Sequence, residues 1–276
     1  MEKDITDSFQ RYFEMVPATT ESLKEAVYRL RYQIYCLETG FLQSQGFPDG
    51  LEKDEYDDSS EHYLIRHRET GIFAATTRLI LPDPSCPQRP FPTECLSSWV
   101  NLPQRFDNVF RRRLGEASRF CVSNDFKRRP GELGTTTGAR LGNLQNYMTS
   151  EDERRIFPHI TLALLACLVR MSARRGITHW YAFMEASLIR LFKLLGLYWI
   201  AIGPITDFHG RRQPCIIELA EFLERVKKRN VQVWDMLTDY GKFWLDDKSL
   251  ARPALGNLRV ADATTIKRSS QINSAV

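Results

Sequence analysis

The chain has 276 residues, of which 43% are hydrophobic and 26% are charged, and its formal net charge is +4. This composition excludes a mostly disordered chain, and no apolar run approaches the ~20 residues that a membrane span needs. The six cysteines show no paired spacing, and the first residues lack the order of a secretory signal. We therefore expect free thiols, a cytoplasmic location and no stable membrane insertion.

Charge is distributed unevenly along the chain. Residues 1–62 carry 14 acidic and 6 basic side chains, whereas the remaining residues carry 20 and 32. Basic pairs and triplets recur in the second part, at residues 111–113, 127–129, 174–175, 211–212 and 227–229. Such a surface favours an anionic partner, which leaves a nucleic acid, an acidic carrier protein and a phosphorylated cofactor open. Solvated helix faces and loops explain the same pattern equally well.

The first predicted elements are a helix and a hairpin. Apolar residues at steps of four, three and four predict a helix over Thr20–Glu38, ended by Gly40. The acidic segment Phe41–Ser60, which holds two glycines and a proline, predicts a loop. Tyr63–Arg66 and Ile72–Leu81 then predict the two strands of a hairpin.

One further strand is predicted between irregular segments. Pro82–Pro103 contains six prolines, and the polar stretch Asn124–Glu153 predicts an insertion or a loop. The strand between them covers Leu114–Val122. Strand alternation places its side chains on two faces, with Glu116, Ser118 and Phe120 on one and Ala117, Arg119 and Cys121 on the other.

Helices and strands alternate in the second half. The predicted elements are a helix at Phe157–Arg175, a strand at His179–Met184, a helix at Leu188–Leu195, strands at Tyr198–Ile202 and Pro214–Leu219, and a helix at Glu221–Arg229. Antiparallel strands followed by a βαβ-like half predict one α/β domain over residues 1–246. The polar residues 247–276 predict a disordered tail.

The first half also contains a dense set of charged residues, which comprises Arg31, Asp54, Asp57, Arg78, Glu116 and Arg119. Three of them lie inside predicted strands, where a buried charge is costly unless it is paired. The set therefore predicts either a functional cleft, a structural ion-pair network or the solvated face of a sheet.

The order of these residues resembles the signature of the acyl-homoserine-lactone synthases, which have the GNAT fold. The matching segments are Arg31 with Tyr35 and Phe41, Asp54-Glu55-Tyr56-Asp57, Thr77-Arg78-Leu79, and Glu116-Ala117-Ser118-Arg119-Phe120. The chain departs from those synthases at Phe41, where they usually have Trp.

The second half resembles a narrower group, the exosortase (PEP-CTERM)-associated acyltransferases, which are similar to the long-chain N-acyl amino acid synthases. The matching segments are residues 176–182, Met184-Glu185-Ala186-Ser187-Leu188 and His209-Gly210-Arg211-Arg212-Gln213-Pro214. Residues 28–32 and 51–57 fit that group too.

The resemblance implies an α/β, GNAT-like (acyl-CoA N-acyltransferase) fold, with a mixed, mostly antiparallel central sheet and helices on both faces. It implies an N-acyltransferase that moves a long-chain acyl group from a carrier thioester to an amine, such as the α-amino group of an amino acid. Residues 128–134 only approximate the glycine-rich turn that holds coenzyme A, which favours acyl carrier protein over acyl-CoA as the donor. No tightly bound cofactor is expected.

Roles for single residues follow from this reaction. Glu116 is the candidate base for the attacking amine, with charge balance for Arg119 or Arg78 as its alternative role. Ser118 is the candidate hydroxyl donor to the thioester, or a locally bonded sheet hydroxyl. The expected acceptor-binding residues are Arg31, Tyr35, Phe41, Asp54, Asp57, Arg78 and Arg119, of which Arg31 can bind a carboxylate. The expected acyl-donor-binding residues are Phe120, Val122, Trp180, His209 and Arg211.

Other functions fit less well. No histidines or cysteines have metal-ligand spacing, so no metal site is predicted. An acyl-homoserine-lactone synthase that uses S-adenosylmethionine remains an enzymatic alternative, although Phe41 and the second-half motifs argue against it. A basic, non-catalytic nucleic-acid-binding protein is the alternative from another class; it predicts salt-sensitive binding that does not depend on Glu116.

Overall fold

One mixed sheet of eight strands runs through the part of the chain that the computed structural model describes. This part comprises residues 4–95, 108–127, 157–194, 196–207 and 210–244. The strands are β1 (Phe13–Pro17), β2 (Ser60–His67), β3 (Phe73–Ile80), β4 (Leu114–Val122), β5 (His179–Glu185), β6 (Ile200–Ala201), β7 (Thr206–Asp207) and β8 (Arg211–Glu218). The helices are α1 (Ile5–Tyr12), α2 (Glu21–Tyr32), α3 (Pro92–Cys95), α4 (Asn108–Arg111), α5 (Phe157–Arg175), α6 (Ala186–Leu194), α7 (Leu219–Arg229) and α8 (Val231–Thr238).

The strands follow the order β1-β2-β3-β4-β5-β8-β6, and β7 also pairs with β8. Every pair is antiparallel except β4 with β5. The parallel pairing is short, because only Leu114–Glu116 pairs with His179–Tyr181. Beyond these residues β4 and β5 form no ladder, so the sheet opens between them.

Helices cover both faces of the sheet. The larger apolar cluster joins α5 with residues of β3, β4 and β5 and with α7 and α8. On the opposite face, α2 packs on β2 and β3. The predicted α/β architecture with a mixed, mostly antiparallel sheet is therefore confirmed. In the described part of the chain, no helix is long and apolar enough to cross a membrane.

A bulge in β4 changes the predicted distribution of its side chains. Arg78 pairs with Ser118 and Thr76 with Cys121, so the register shifts between them. Arg119 lies in this bulge with a φ of 48°, in the left-handed region. As a result, Phe120 packs with the apolar cluster around α5, and the prediction that it shares a face with Glu116 and Ser118 is wrong.

Other elements also differ from the sequence prediction. The helix predicted over Thr20–Glu38 is α-helical only to Tyr32 and continues as a π-helical segment at Gln33–Glu38. The elements α1, β1 and α8 were not predicted from the sequence. Most of the predicted loop at residues 124–153 and all of the predicted tail at 247–276 lie outside the described residues, and the single domain stays a prediction.

Gly115 lies in the short pairing of β4 with β5, at a point where β4 also approaches β3 closely. A Cβ atom there would lie 3.0 Å from Leu79 Cδ1 and 3.1 Å from the backbone oxygen of Ile80. We expect Gly115→Ala to lower the free energy of unfolding by about 1–3 kcal/mol, because the backbone oxygen cannot move away cheaply. Urea unfolding measures this loss. Gly46→Ala is the control, since a Cβ atom there meets nothing within 4 Å, and equal losses for the two variants would contradict the prediction.

Candidate active site

A cleft of about 170 Å³ lies where β4 and β5 separate. On one face of the sheet its lining is polar and includes Tyr35, Arg78, Glu116, Ser118, Arg119 and Arg212. On the other face its lining is apolar and includes Phe120, Leu165, Leu168, Ala182, Leu188 and Phe192. The cleft therefore passes through the opening in the sheet and joins a charged end to a slot between the sheet, α5 and α6.

Glu116 is a buried carboxyl group in the polar part of the cleft. Its side chain accepts a hydrogen bond of 2.9 Å from the backbone N–H of Thr93, and the residue is 3% exposed. It forms no ion pair with any described residue, so its predicted alternative role as the partner of Arg119 or Arg78 has no support in the contacts. Burial raises the pKa of Glu116 to about 7, against the opposing bond from Thr93. A carboxyl group with this pKa can accept a proton near neutral pH.

The segment that holds Thr93 is fixed from behind by Arg111. The Arg111 side chain is fully buried and donates to Glu94 and to the backbone oxygens of Pro87 and Arg89. Glu94 also accepts from the backbone N–H of Phe91, at 2.8 Å. Arg111 and Glu94 thus order the segment that positions Glu116. No pattern in the sequence indicates this role for either residue.

Ser118 lies two residues beyond Glu116 on the same face of β4. Its Oγ accepts a hydrogen bond of 2.9 Å from Nε of Arg78. Because the hydroxyl accepts this bond, its own hydrogen remains available for a group in the cleft. The predicted role of Ser118 as a donor is compatible with this geometry.

Three arginines and three carboxylates form an ion network beside the cleft. Arg31 pairs with Glu52 and with both oxygens of Asp57, at 2.7 and 3.1 Å. Arg78 pairs with Asp54 at 2.6 Å and with Asp57 at 2.8 Å. Arg119 pairs with Glu52 at 2.8 Å and with Asp54 at 2.9 Å. The charges of the network therefore balance, as the sequence analysis had proposed for a structural network.

Glu52 takes the place in this network that the sequence analysis had considered for Glu116. It lies in the acidic segment 52–58, next to residues that were identified, but the sequence does not show which acids of that segment turn inward. Burial tends to raise the pKa of Glu52, but Arg31 and Arg119 outweigh it and lower the pKa to about 2. Against the same effect of burial, Arg31 and Arg78 hold the pKa of Asp57 well below its usual range. Both carboxylates are ionised at neutral pH.

The expected acceptor-binding residues fall into two groups. Tyr35, Phe41, Arg78 and Arg119 line the cleft. Arg31, Asp54 and Asp57 do not line it, and the guanidinium of Arg31 is fully buried and used by Glu52 and Asp57. These contacts place Arg31 behind the cleft and give its guanidinium no open side for a ligand carboxylate.

The expected donor-binding residues are also divided. Phe120 lines the cleft, whereas Val122 is fully buried in the core. Trp180 lies in the core as well, where its Nε1 donates to Ser172 and its ring stacks on Trp199. Arg211 is exposed. His209 lies outside the described residues. Phe183, Leu188 and Phe192 also line the cleft.

Glu185 and Arg212 are two further charged residues that line the cleft, and the sequence motifs contain both without giving either one a role of its own. They pair across β5 and β8, and Arg212 Nη2 donates to Glu185 at 3.3 Å. The guanidinium of Arg212 also lies 4.5 Å from the ring centroid of Phe41. Strand alternation was the sequence signal that could have identified Arg212. Neighbouring residues of a strand point to opposite faces, so only one of Arg211 and Arg212 can face the cleft.

The basic clusters are partly used inside the protein. Arg111 is buried against Glu94, Lys127 is 5% exposed, and Arg212 lines the cleft. Arg175 pairs with Glu61. Part of the predicted basic surface is therefore internal, which weakens the argument for a nucleic-acid partner.

Comparisons with known proteins show which fold the chain shares. Residues 30–136, which include the ion network, Glu116 and Ser118, match the family model described as an acetyltransferase (GNAT) domain. The structure is similar to that of FeeM, an N-acyl amino acid synthase from uncultured soil microbes, with 11% identity and a TM-score of 0.51 over 79% of this chain and 96% of that chain.

Two acyl-homoserine lactone synthases are similar at slightly lower scores. LasI has 19% identity and a TM-score of 0.49, over 83% of this chain and 94% of its own. The CoA-dependent synthase BjaI has 20% identity and a TM-score of 0.48, over 83% of this chain and 88% of its own. No curated protein sequence matches the chain. The domain match and the overall architecture confirm the predicted GNAT-like fold, and the match over residues 30–136 supports an acyltransferase.

Proposed function

We propose that the chain transfers a long-chain acyl group from a thioester to the amino group of a small acceptor such as an amino acid. The observation that carries this proposal is the cleft itself, in which the carboxyl group of Glu116, which forms no ion pair with a described residue, faces the same space as an apolar slot. The apolar end suits an acyl chain. The polar end suits an amine.

The chemistry needs few protein groups. The amine nitrogen attacks the thioester carbonyl, Glu116 takes the proton that the amine loses, and the carbon–sulfur bond then breaks and releases the thiol after proton transfer. Backbone N–H groups on the facing edges of β4 and β5 have no strand partner beyond Glu116 and Tyr181, so they can donate to the developing oxyanion. Ser118 can donate to the same oxygen or to the departing sulfur.

The ion network has an indirect role in this proposal. Arg78 and Arg119 line the cleft, and Arg31, Glu52 and Asp57 hold them in place from behind. Arg31, Asp54 and Asp57 are thus positioning residues, while Tyr35, Phe41, Arg78 and Arg119 remain candidates for contact with the acceptor.

The donor is proposed to be acyl carrier protein, with acyl-CoA as the alternative. Exposed basic residues such as Arg211 support an acidic carrier, because opposite charges guide association. The second-half motifs, which resemble the exosortase-associated acyltransferases, support the same assignment. We propose a cytoplasmic enzyme without a tightly bound cofactor.

The direct test supplies the purified chain with dodecanoyl or hexadecanoyl thioesters of acyl carrier protein or coenzyme A. Mixed amino acids and, separately, S-adenosylmethionine serve as acceptors, and mass spectrometry detects the products. N-acyl amino acids are expected. An acyl-homoserine lactone as the main product would favour the alternative synthase, and the absence of any amide with either donor would overturn the proposal.

The apolar end of the cleft predicts a limit on acyl-chain length. Ala182 is a small residue of β5 that lines the cleft. We expect Ala182→Leu to shift the preferred donor to a chain shorter by about two to four carbons, because the added side chain fills part of the slot. Competition between donors of different length measures the shift. Ala163→Leu is the control, since Ala163 is buried in α5 but does not line the cleft, and a shift in the control alone would contradict the assignment.

A further inference from the structure

Arg212 forms fewer hydrogen bonds with the described residues than the other buried or half-buried arginines near the cleft. Each of the others forms three or four hydrogen bonds to protein oxygens; they are Arg31, Arg78, Arg111 and Arg119. With the described residues Arg212 forms one, the 3.3 Å bond to Glu185. Its Nε is buried and has no partner among the described residues.

Burying guanidinium donors without acceptors costs free energy, unless a bound ligand accepts hydrogen bonds from them. The Arg212 side chain is 17% exposed and one of its faces is covered by the ring of Phe41. A buried donor without an acceptor costs free energy comparable to a lost hydrogen bond. Because Arg212 lines the cleft, an anionic group bound there would reach its remaining donors.

The surroundings of Arg212 indicate which anion fits. The charges of Arg31, Arg78 and Arg119 are already balanced by three carboxylates, so Arg212 and Glu185 form a separate pair of opposite charges. A zwitterion matches such a pair, since its carboxylate faces Arg212 and its ammonium faces Glu185. A phosphate group would instead meet the repulsion of Glu185 at the same place.

The pair is also placed within reach of the proposed base. Glu116 pairs with Tyr181 on β5, and Glu185 lies four residues further along that strand, which corresponds to ~13 Å. The long side chain of Arg212 and the side chain of Glu116 face the same cleft and shorten this gap. A small amino acid held by Arg212 and Glu185 therefore lies in the same cleft as Glu116, which can take the proton of its amine directly or through water.

We propose that Arg212 and Glu185 form the acceptor-binding site and that the acceptor is an amine that carries a carboxylate. This inference rests on the proposed acyl transfer to an amine and specifies its substrate class. It gives to Arg212 the carboxylate-binding role that the sequence analysis had given to Arg31.

The test compares two acceptors that differ only in the carboxylate, leucine and leucinamide, at a saturating acyl donor. We expect Arg212→Ala to raise the KM for leucine about 10- to 100-fold and to change that for leucinamide less than about twofold. Arg190→Ala is the control, because Arg190 is an exposed arginine in α6, and it should leave both KM values unchanged. Arg212→Lys, which keeps the charge, should recover part of the leucine KM and also serves if the alanine variant does not fold.

Three results would overturn the inference. One is an equal effect of Arg212→Ala on leucine and leucinamide, and another is a raised KM for the acyl donor alone, which would assign Arg212 to the donor. The third comes from calorimetry with N-dodecanoyl-leucine and its amide, a binding measurement that needs no turnover. Equal affinity of the wild-type chain for the two compounds would overturn the carboxylate site. If no amine is acylated but the carboxylated compound binds in an Arg212-dependent way, the proposed function fails and the site stands.

Discussion

Glu116→Gln should reduce amide formation at pH 8 by about 10²- to 10⁴-fold, the range expected when a general base is removed. The substitution keeps the size of the side chain and an oxygen that can accept from Thr93, so the cleft should keep its shape. Steady-state rates with acyl carrier protein thioesters and a saturating acceptor measure the loss. The loss should appear in kcat, because the base acts on the bound amine.

The control for this prediction is Glu38→Gln. Glu38 also accepts a hydrogen bond from a backbone N–H, that of Asn124 at 2.8 Å, but it lies outside the cleft. Its substitution should change the rate less than about twofold. A Glu116→Gln enzyme with wild-type kcat would reject Glu116 as the base and leave the acyltransferase assignment intact.

The same variant should be more stable than the wild-type chain above pH 7. The pKa of Glu116 is about 7 in the folded chain, above its ordinary value of 4.5, so the folded chain binds this proton more tightly than the unfolded chain does. Wild-type stability therefore falls as the pH rises from about 4.5 to 7. Removing the charge should stabilise the protein by about 1–3 kcal/mol at pH 8 and have little effect at pH 4.5. Loss of activity with a gain in stability is the signature expected of a catalytic group whose charge is costly to bury.

Asp57→Asn should cause the largest loss of stability, about 3–5 kcal/mol, because it leaves buried arginines without their counter-charge. Asp57 accepts hydrogen bonds from Arg31, from Arg78 and from the backbone N–H of Asp54. Asp58→Asn is a matched control, since the neighbouring side chain is 84% exposed and pairs, among the described residues, with exposed Lys53 alone. That change should cost less than about 1 kcal/mol. Urea unfolding of both variants compares the two losses, and equal losses would contradict the buried network.

The network also predicts how the protein unfolds in acid. The pKa values of Glu52 and Asp57 are lower in the folded chain than in the unfolded chain. Their contribution to stability is present above the ordinary carboxyl range and is lost as the pH falls from about 4.5 towards 2. The free energy of unfolding of the wild-type chain should fall steeply over this range. For Asp57→Asn the slope should be shallower.

The sequence was sufficient for the fold class and for most of the elements around the cleft. Hydrophobic periodicity indicated the hairpin, the strand that carries Glu116 and the helix behind it, because these elements bury one clear face. It did not indicate the bulge at Arg119, since a positive φ at an arginine leaves no mark in the pattern of polar and apolar residues. Phe120 was therefore placed on the wrong face.

The charged residues show a different limit. The sequence supported three arginines facing three carboxylates, which the structure confirms, but with Glu52 in place of Glu116. Which acid of a loop turns inward depends on the path of the loop, and no local pattern encodes that path. This exchange matters for function, because Glu116 is left without an ion pair and its pKa is raised. Trp180 was expected to bind the acyl donor, but it lies in the core. An aromatic residue in a strand can face either the cleft or the core, and the sequence pattern does not distinguish the two.

The most direct test of the account is the ratio of wild-type to Glu116→Gln rates of amide formation, measured from pH 5 to pH 9 with one amine acceptor. Ionisation of the amine affects both enzymes equally and cancels in the ratio. The account predicts a ratio that is constant above pH 7 and falls tenfold per pH unit below it, because the base is protonated there. A ratio that stays constant across the whole range, or that equals one, would contradict the role of Glu116 as the base.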